Sequence, residues 1–141
     1  MKTTGITSID HAPQVVAEWL NILQDDLAWQ DRSRAYLLLR VTLHTLRDFL
    51  TVDEAADLSA QLPLLIRGIF FEGWVPAKTP AKPRSVDDFL DRVMIRFSDA
   101  PLAEPDVAVA AVFALLRRQI SPGEYHQVSW AMRKPLRDLW M

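Results

Sequence analysis

Shifted by 70 positions, this sequence lies over itself without a gap, and LRDFLTVDEAADLSAQL from Leu46 meets LRRQISPGEYHQVSWAM from Leu116. Identical residues are few, among them Leu46/Leu116, Arg47/Arg117, Glu54/Glu124 and Ser59/Ser129. The apolar positions repeat more fully: Trp19 meets Phe89, Leu23 meets Val93, Leu43 meets Phe113, Leu62 meets Met132, Ile66 meets Leu136 and Phe70 meets Trp140. A self-match at fixed period is the mark of one structural unit used twice, and it restricts the fold more than any single motif does. The chain is therefore expected to form two similar halves, about 14–72 and 84–141, with a linker over 73–84, in a single domain spanning 1–141.

Each half reads as helices. Val15, Val16, Trp19, Leu20, Leu23 and Leu27 recur at the spacing of one apolar helical face. Asp31 is placed to cap a second helix carrying Tyr36, Leu39, Leu43, Leu46 and Leu50. Leu37, Leu38 and Val41 widen its apolar surface to most sides, and VAVAAVFALL from Val107 to Leu116 is apolar all round. Helices of that kind are buried, so both second helices belong at the centre. Thr51…Glu54 and Ser121…Glu124 open the third segments. Both have the S/T-x-x-E spacing of a capping box, in which hydroxyl and carboxylate satisfy free amides at a helix start. Pro63 and Pro135 each break a third segment into two short helices, because proline lacks an amide and clashes with the preceding turn. No stretch alternates with period two for long enough to make a strand. The expected fold is all-α: a helical bundle of two pseudo-repeated three-helix halves joined by a Pro/Lys-rich linker.

In that linker, GWVPAKTPAKPR, Gly73 suits the left-handed end of a helix and Pro76 prevents its continuation. Pro76, Pro80 and Pro83 together describe a stiff, extended connector. Ser85 then caps the next helix, with Asp87 and Asp88 near the positive end of its dipole.

Composition removes several classes of function. The apolar run at Val107–Leu116 is about half of the roughly 20 residues needed to span a bilayer. The start, MKTTGITSIDHAP, lacks the apolar core of a signal peptide, and a cytoplasmic protein is expected. A net charge of −2 provides no general field for nucleic acid or anionic lipid. The chain has no cysteine, which excludes disulfides, thiol catalysis and cysteine-based zinc sites. His11, His44 and His126 are not at metal-ligand spacing, and His44 reads as a packing or hydrogen-bonding residue of the second helix. The pairs Asp25–Asp26, Asp53–Glu54 and Asp87–Asp88 sit near helix ends or on polar faces, where acids are ordinary. No nucleophile elbow, P-loop or dinucleotide fingerprint is present. The expectation is a protein that is not an enzyme and needs no cofactor or metal.

QLPLLIRGIFFEGWVP, followed by the Pro/Lys linker and DDFLDRV, resembles the uncharacterised bacterial proteins grouped as domain-of-unknown-function family 2267. The distinctive residues are Leu62, Pro63, Arg67, Phe70, Gly73, Trp74 and Pro76, with Phe89 and Leu90 beyond the linker. The resemblance runs from about Val15 to Trp140 and implies a small all-helical domain without an established activity. A second Leu-Pro is expected near Met132–Arg133, but the proline stands at Pro135.

The same stretch holds the candidate binding residues Arg67, Phe71 and Trp74, with Arg137 at the repeat position of Arg67. One reading is a two-sided groove between the halves that holds an anionic or peptide ligand. The other, favoured one is structural: each arginine caps carbonyls or pairs with an acid while its stem covers apolar side chains. Leu62–Trp74 as a whole reads as core, not as a membrane segment. Lys78, Lys82 and Arg84 in the linker, and Arg117, Arg118, Arg133, Lys134 and Arg137 in the second half, form a basic set offset by nearby acids. The leading expectation is a non-enzymatic interaction or regulatory module that binds another protein or itself. The alternative is a domain that binds a small anionic ligand in the groove between the repeats. Nucleic-acid binding ranks third, and no membrane association is expected.

Overall fold

The computed structural model describes residues 3–82 and 84–140, so Pro83, the third linker proline, lies outside the described residues. Regular structure there is entirely helical. In chain order it comprises α1 (Thr7–Asp10), α2 (Ala12–Leu27), α3 (Arg32–Phe49), α4 (Val52–Ser59) and α5 (Leu64–Phe71). After the linker come α6 (Val86–Ile95), α7 (Pro105–Gln119), α8 (Pro122–Trp130) and α9 (Lys134–Arg137). Single 3-10 turns lie at Pro76–Lys78 and Asp138–Trp140. No described helix is long and apolar enough to cross a membrane.

The two greasy helices take the centre. α3 packs on α2, α5, α6 and α7, and α7 packs on α2, α3, α6, α8 and the final 3-10 turn. Leu38, Leu39, Leu43 and Leu46 of α3 and Val109, Val112, Phe113, Leu115 and Leu116 of α7 are wholly inaccessible. Burying each such side chain stabilises by about 1.5–3 kcal/mol. A run of rings ties the elements together: Phe49 meets Phe89 edge-on, Phe89 meets Phe113 edge-on, and Phe113 stacks on Trp140 with centroids 4.2 Å apart. α3, α6, α7 and the C-terminal turn thus share one core.

Capping explains most helix starts. Asp31 accepts the Arg34 amide, and the Thr51–Glu54 and Ser85–Asp88 pairs form complete, reciprocal boxes. Ser121–Glu124 is a correction to the spacing argument. Ser121 Oγ accepts the Glu124 amide, but the amide of Ser121 donates to Gln61 Oε1 instead of to Glu124. α4 packs against α8 and brings Gln61 to the place that the glutamate fills in a complete box.

The last helix corrects the reading of Pro135. The break in the second half falls after Trp130, and Arg133 precedes α9 at φ −65° and ψ 153°. Pro63 precedes α5 at nearly the same φ −59° and ψ 159°. Pro135 lies in the first turn of α9, where its missing amide has no partner to lose. The extended residue before each closing helix carries the break: Pro63 itself before α5, but Arg133 and not Pro135 before α9.

The linker also differs from a stiff extended strap. Gly73 does take a left-handed φ of 69°, but Pro76–Lys78 then turns, and Ala81 is buried with its amide donating to Asp48 O at 2.7 Å. The chain folds back because Ala81 satisfies a free carbonyl at the end of α3. The short α1 was not legible from periodicity: Asp10 accepts the backbone amide and hydroxyl of Thr4, both at 2.8 Å.

Candidate functional site

The stretch from Leu62 to Trp74 divides by helical face. Leu62, Ile66 and Phe70 are buried, Ile69, Phe71 and Trp74 are half-buried, and Leu64 and Leu65 are exposed. Core is therefore correct for one face only, since a short helix turns a single i, i+4 row toward α2 and α3.

The C-terminal end of α5 is held by His44 and Arg47 from α3. His44 Nε2 lies 2.7 Å from Ile69 O, and Arg47 Nη1 donates to Phe70 O at 3.0 Å and also to Glu72 O. Arg47 Nε meets Asp48 Oδ1 at 2.9 Å, and this arginine is only 4% exposed. The last carbonyls of a helix carry its negative dipole end, so positive donors belong there. Burial is the main reason the His44 imidazole titrates below its ordinary value; Arg47 and Arg40 push the same way, against the Ile69 bond and Glu72.

Beside this junction α6 packs on α3 and borders an open cleft of about 450 Å³. Arg40, His44 and Arg47 reach it from α3, Glu72 and Gly73 from the end of α5, and Arg92 and Arg96 from α6. Arg40 Nε pairs with Glu72 Oε1 at 3.0 Å. The Arg92 guanidinium lies 5.6 Å from the Phe49 ring centre, and its charge helps hold Asp88 below the usual carboxylate range, after the larger effect of Ser85. Arg96 has no acidic partner among the described residues. Four guanidiniums thus face two carboxylates, Asp48 and Glu72. The lining of the cleft therefore carries an excess of positive charge.

The residues singled out from sequence lie elsewhere. Arg67 Nε donates to Ser59 O at 2.9 Å and Nη2 to Leu62 O at 3.0 Å, closing the end of α4, as the structural reading expects. Arg137 lies 3.9 Å over the Trp130 ring. Phe71 and Trp74 do come together, with ring centres 4.9 Å apart. The basic set of the second half disperses: Arg118 pairs with Asp26, Lys134 with Asp138, and Arg117 covers Tyr125. His126 is exposed, 5.7 Å from Trp130. The cleft arginines were missed, although a signal exists. Arg40, His44 and Arg47 repeat at i, i+4 and i+7 on an otherwise greasy helix, and Arg92 and Arg96 at i, i+4 across the end of α6.

Fold and cleft together describe an all-helical protein with an arginine-rich cleft between its third and sixth helices. The chain belongs to the family described as "Uncharacterized conserved protein (DUF2267)", whose model matches residues 16–139, nearly the whole chain. No curated protein matches it.

Proposed function

We propose that this protein is a non-enzymatic binding module whose ligand is a small anion seated in the cleft between α3 and α6. The observation that carries this reading is the convergence of Arg40, Arg92 and Arg96 on one cavity beside a junction already organised by His44 and Arg47. Binding is favoured over chemistry because the one imidazole there ties down a backbone carbonyl. A thermal-shift titration at low ionic strength tests it, with phosphate, sulfate and citrate as probes. A ligand that binds the native state raises the unfolding midpoint by an amount that grows with the logarithm of its concentration over Kd. The expected result is a rise that grows with anion concentration and that Arg96→Gln reduces. No rise with any of these anions overturns the reading.

We also read the chain as two pseudo-repeated halves. Support comes from helix bounds 70 positions apart: α3 and α7 end at Phe49 and Gln119, α4 and α8 begin at Val52 and Pro122, and α5 and α9 begin at Leu64 and Lys134. Exchanging the halves also preserves the main packing pairs, α2 on α7 becoming α6 on α3, and α2 on α5 becoming α6 on α9. The cleft is not repeated. The positions equivalent to Arg40, His44, Arg92 and Arg96 hold Ala110, Ala114, Ile22 and Asp26. One side of the pseudo-repeat therefore carries the ligand site in this reading, and the other serves as scaffold.

A second reading, association with a protein or a second copy, draws on the outer face of α5, where Leu64 is 53% and Leu65 41% exposed. Sedimentation of wild type against Leu64→Lys tests it: a strictly monomeric wild type that recovers no partner overturns it. Both readings place the protein in the cytoplasm, in keeping with its lack of cysteine.

A further inference from the structure

Resting on the anion-binding reading, we infer that the ligand is a dianion, specifically a small phosphate monoester, gripped between the two α6 arginines and Arg40. Charge bookkeeping in the cleft selects this class. Arg47 is committed to Asp48 and to the carbonyls of Phe70 and Glu72, and is buried. Arg40 is matched by Glu72. Arg92 in the last turn of α6 and Arg96 at its C-cap remain, four residues apart and both lining the same cleft. Asp88 makes no ion pair with Arg92 among the described residues; its Oδ2 instead accepts the amide of Ser85 at 3.1 Å and its hydroxyl. Two like charges at i, i+4 repel each other. A ligand of charge −2 relieves both, whereas a monocarboxylate leaves one unmatched. A phosphate monoester carries about −1.5 to −2 at neutral pH, with three acceptor oxygens for guanidinium forks.

Size and surroundings favour a small molecule. The cleft of about 450 Å³ exceeds a phosphoryl group alone, and Val41 and Gly73 offer surface to a compact organic body. Glu72 has a defined part in the exchange. Its carboxylate occupies Arg40 in the free protein at 3.0 Å, so an incoming phosphoryl group competes with it for that guanidinium. Glu72 thereby sets the affinity without touching the ligand's body.

Isothermal titration of the full chain at low salt and pH 7.5, with glycerol 3-phosphate, inorganic phosphate, succinate and acetate as probes, tests this. The expected result is glycerol 3-phosphate binding at least tenfold more tightly than acetate and severalfold more tightly than succinate or inorganic phosphate. Arg92→Gln and Arg96→Gln should each weaken it at least tenfold, Glu72→Gln should strengthen it, and Arg118→Gln on α7 should leave it unchanged. Circular dichroism verifies that each variant is folded, and the gain from Glu72→Gln serves as the test if the arginine variants unfold. Acetate or succinate binding as tightly through the same arginines overturns the phosphate assignment and leaves the anion reading standing. Equal losses in Arg118→Gln mean diffuse attraction and overturn the site. Tighter binding to a phosphoserine peptide or to phosphatidic acid vesicles than to glycerol 3-phosphate overturns the small-molecule assignment. Absence of binding by every anion overturns the phosphate assignment and the anion reading together.

Discussion

The side-chain carbonyl of Gln61 accepts the backbone amide of Ser121 at 3.2 Å, so a residue from the end of α4 caps α8 in the other half of the chain. At the equivalent place in α4, Glu54 of the same helix accepts the Thr51 amide at 2.8 Å. Gln61 therefore joins the end of α4 to the start of α8 through a cap. Gln61→Ala should cost about 0.5–1 kcal/mol in urea unfolding, the usual loss for removing one capping partner. An unchanged midpoint would show that water replaces the bond without loss.

Glu124 and His44 give opposite responses to pH. Glu124 is displaced from the cap, and burial, then the nearby Asp57, raises its carboxyl above 4.5. A raised native value favours the protonated form, so its stabilising effect is full below about pH 4.5 and is lost as pH rises. Glu124→Gln should thus raise the melting midpoint at pH 7, and the gain should vanish in acid. His44 is lowered from 6.5, chiefly by burial, so its contribution is full above that value and declines as pH falls, when the unfolded chain takes the proton first. His44→Gln should flatten the acid side of the stability profile, and a profile as steep as wild type excludes His44 as its source.

Arg47 and Arg67 both tie carbonyls, yet they should differ in weight. Arg47→Met strands the carbonyls of Phe70 and Glu72 together with Asp48, at a site 4% exposed, and should cost about 3 kcal/mol or more. Arg67→Met loses bonds to Ser59 O and Leu62 O near solvent and should cost about 1–2 kcal/mol. Paired denaturation curves measure the difference. Equal losses would mean that burial of Arg47 adds nothing.

Ala28 ends α2 in the left-handed region at φ 55°, where a Cβ is unfavourable by about 1 kcal/mol. Its amide donates to Asp25 O, so the conformation belongs to the helix end. Ala28→Gly should therefore stabilise by about 0.5–1 kcal/mol despite the added freedom of the unfolded chain. A loss of stability in thermal or urea unfolding would contradict this account of the turn.

Much of the architecture was legible before any coordinates. The all-helical character, the central place of Leu39, Leu43 and Phe113, the Thr51–Glu54 box and the left-handed Gly73 all follow from local spacing and backbone chemistry. The α8 cap was half legible. Ser121 and Glu124 have the right spacing, but the partner that completes the cap arrives from residue 61. Pro135 misled because proline breaks a helix by its position within the turn, not by its presence alone. The site was the least legible part. Arg67 and Arg137 stood out as charges in apolar runs, and Arg67 finds its carbonyls within its own segment.

The sequence by itself determined the helices, their buried faces and most of their ends, because these depend on residues within a few positions of one another. It also determined the family, through a run of residues that needs no folding to be recognised. Only the tertiary structure decided that α6 lies against α3, and therefore that Arg92 and Arg96 share a cavity with Arg40 and Glu72. The reason is physical. Hydrophobic periodicity names the face that each helix buries but not the helix it is buried against, and a cleft between two helices exists only once that choice is made.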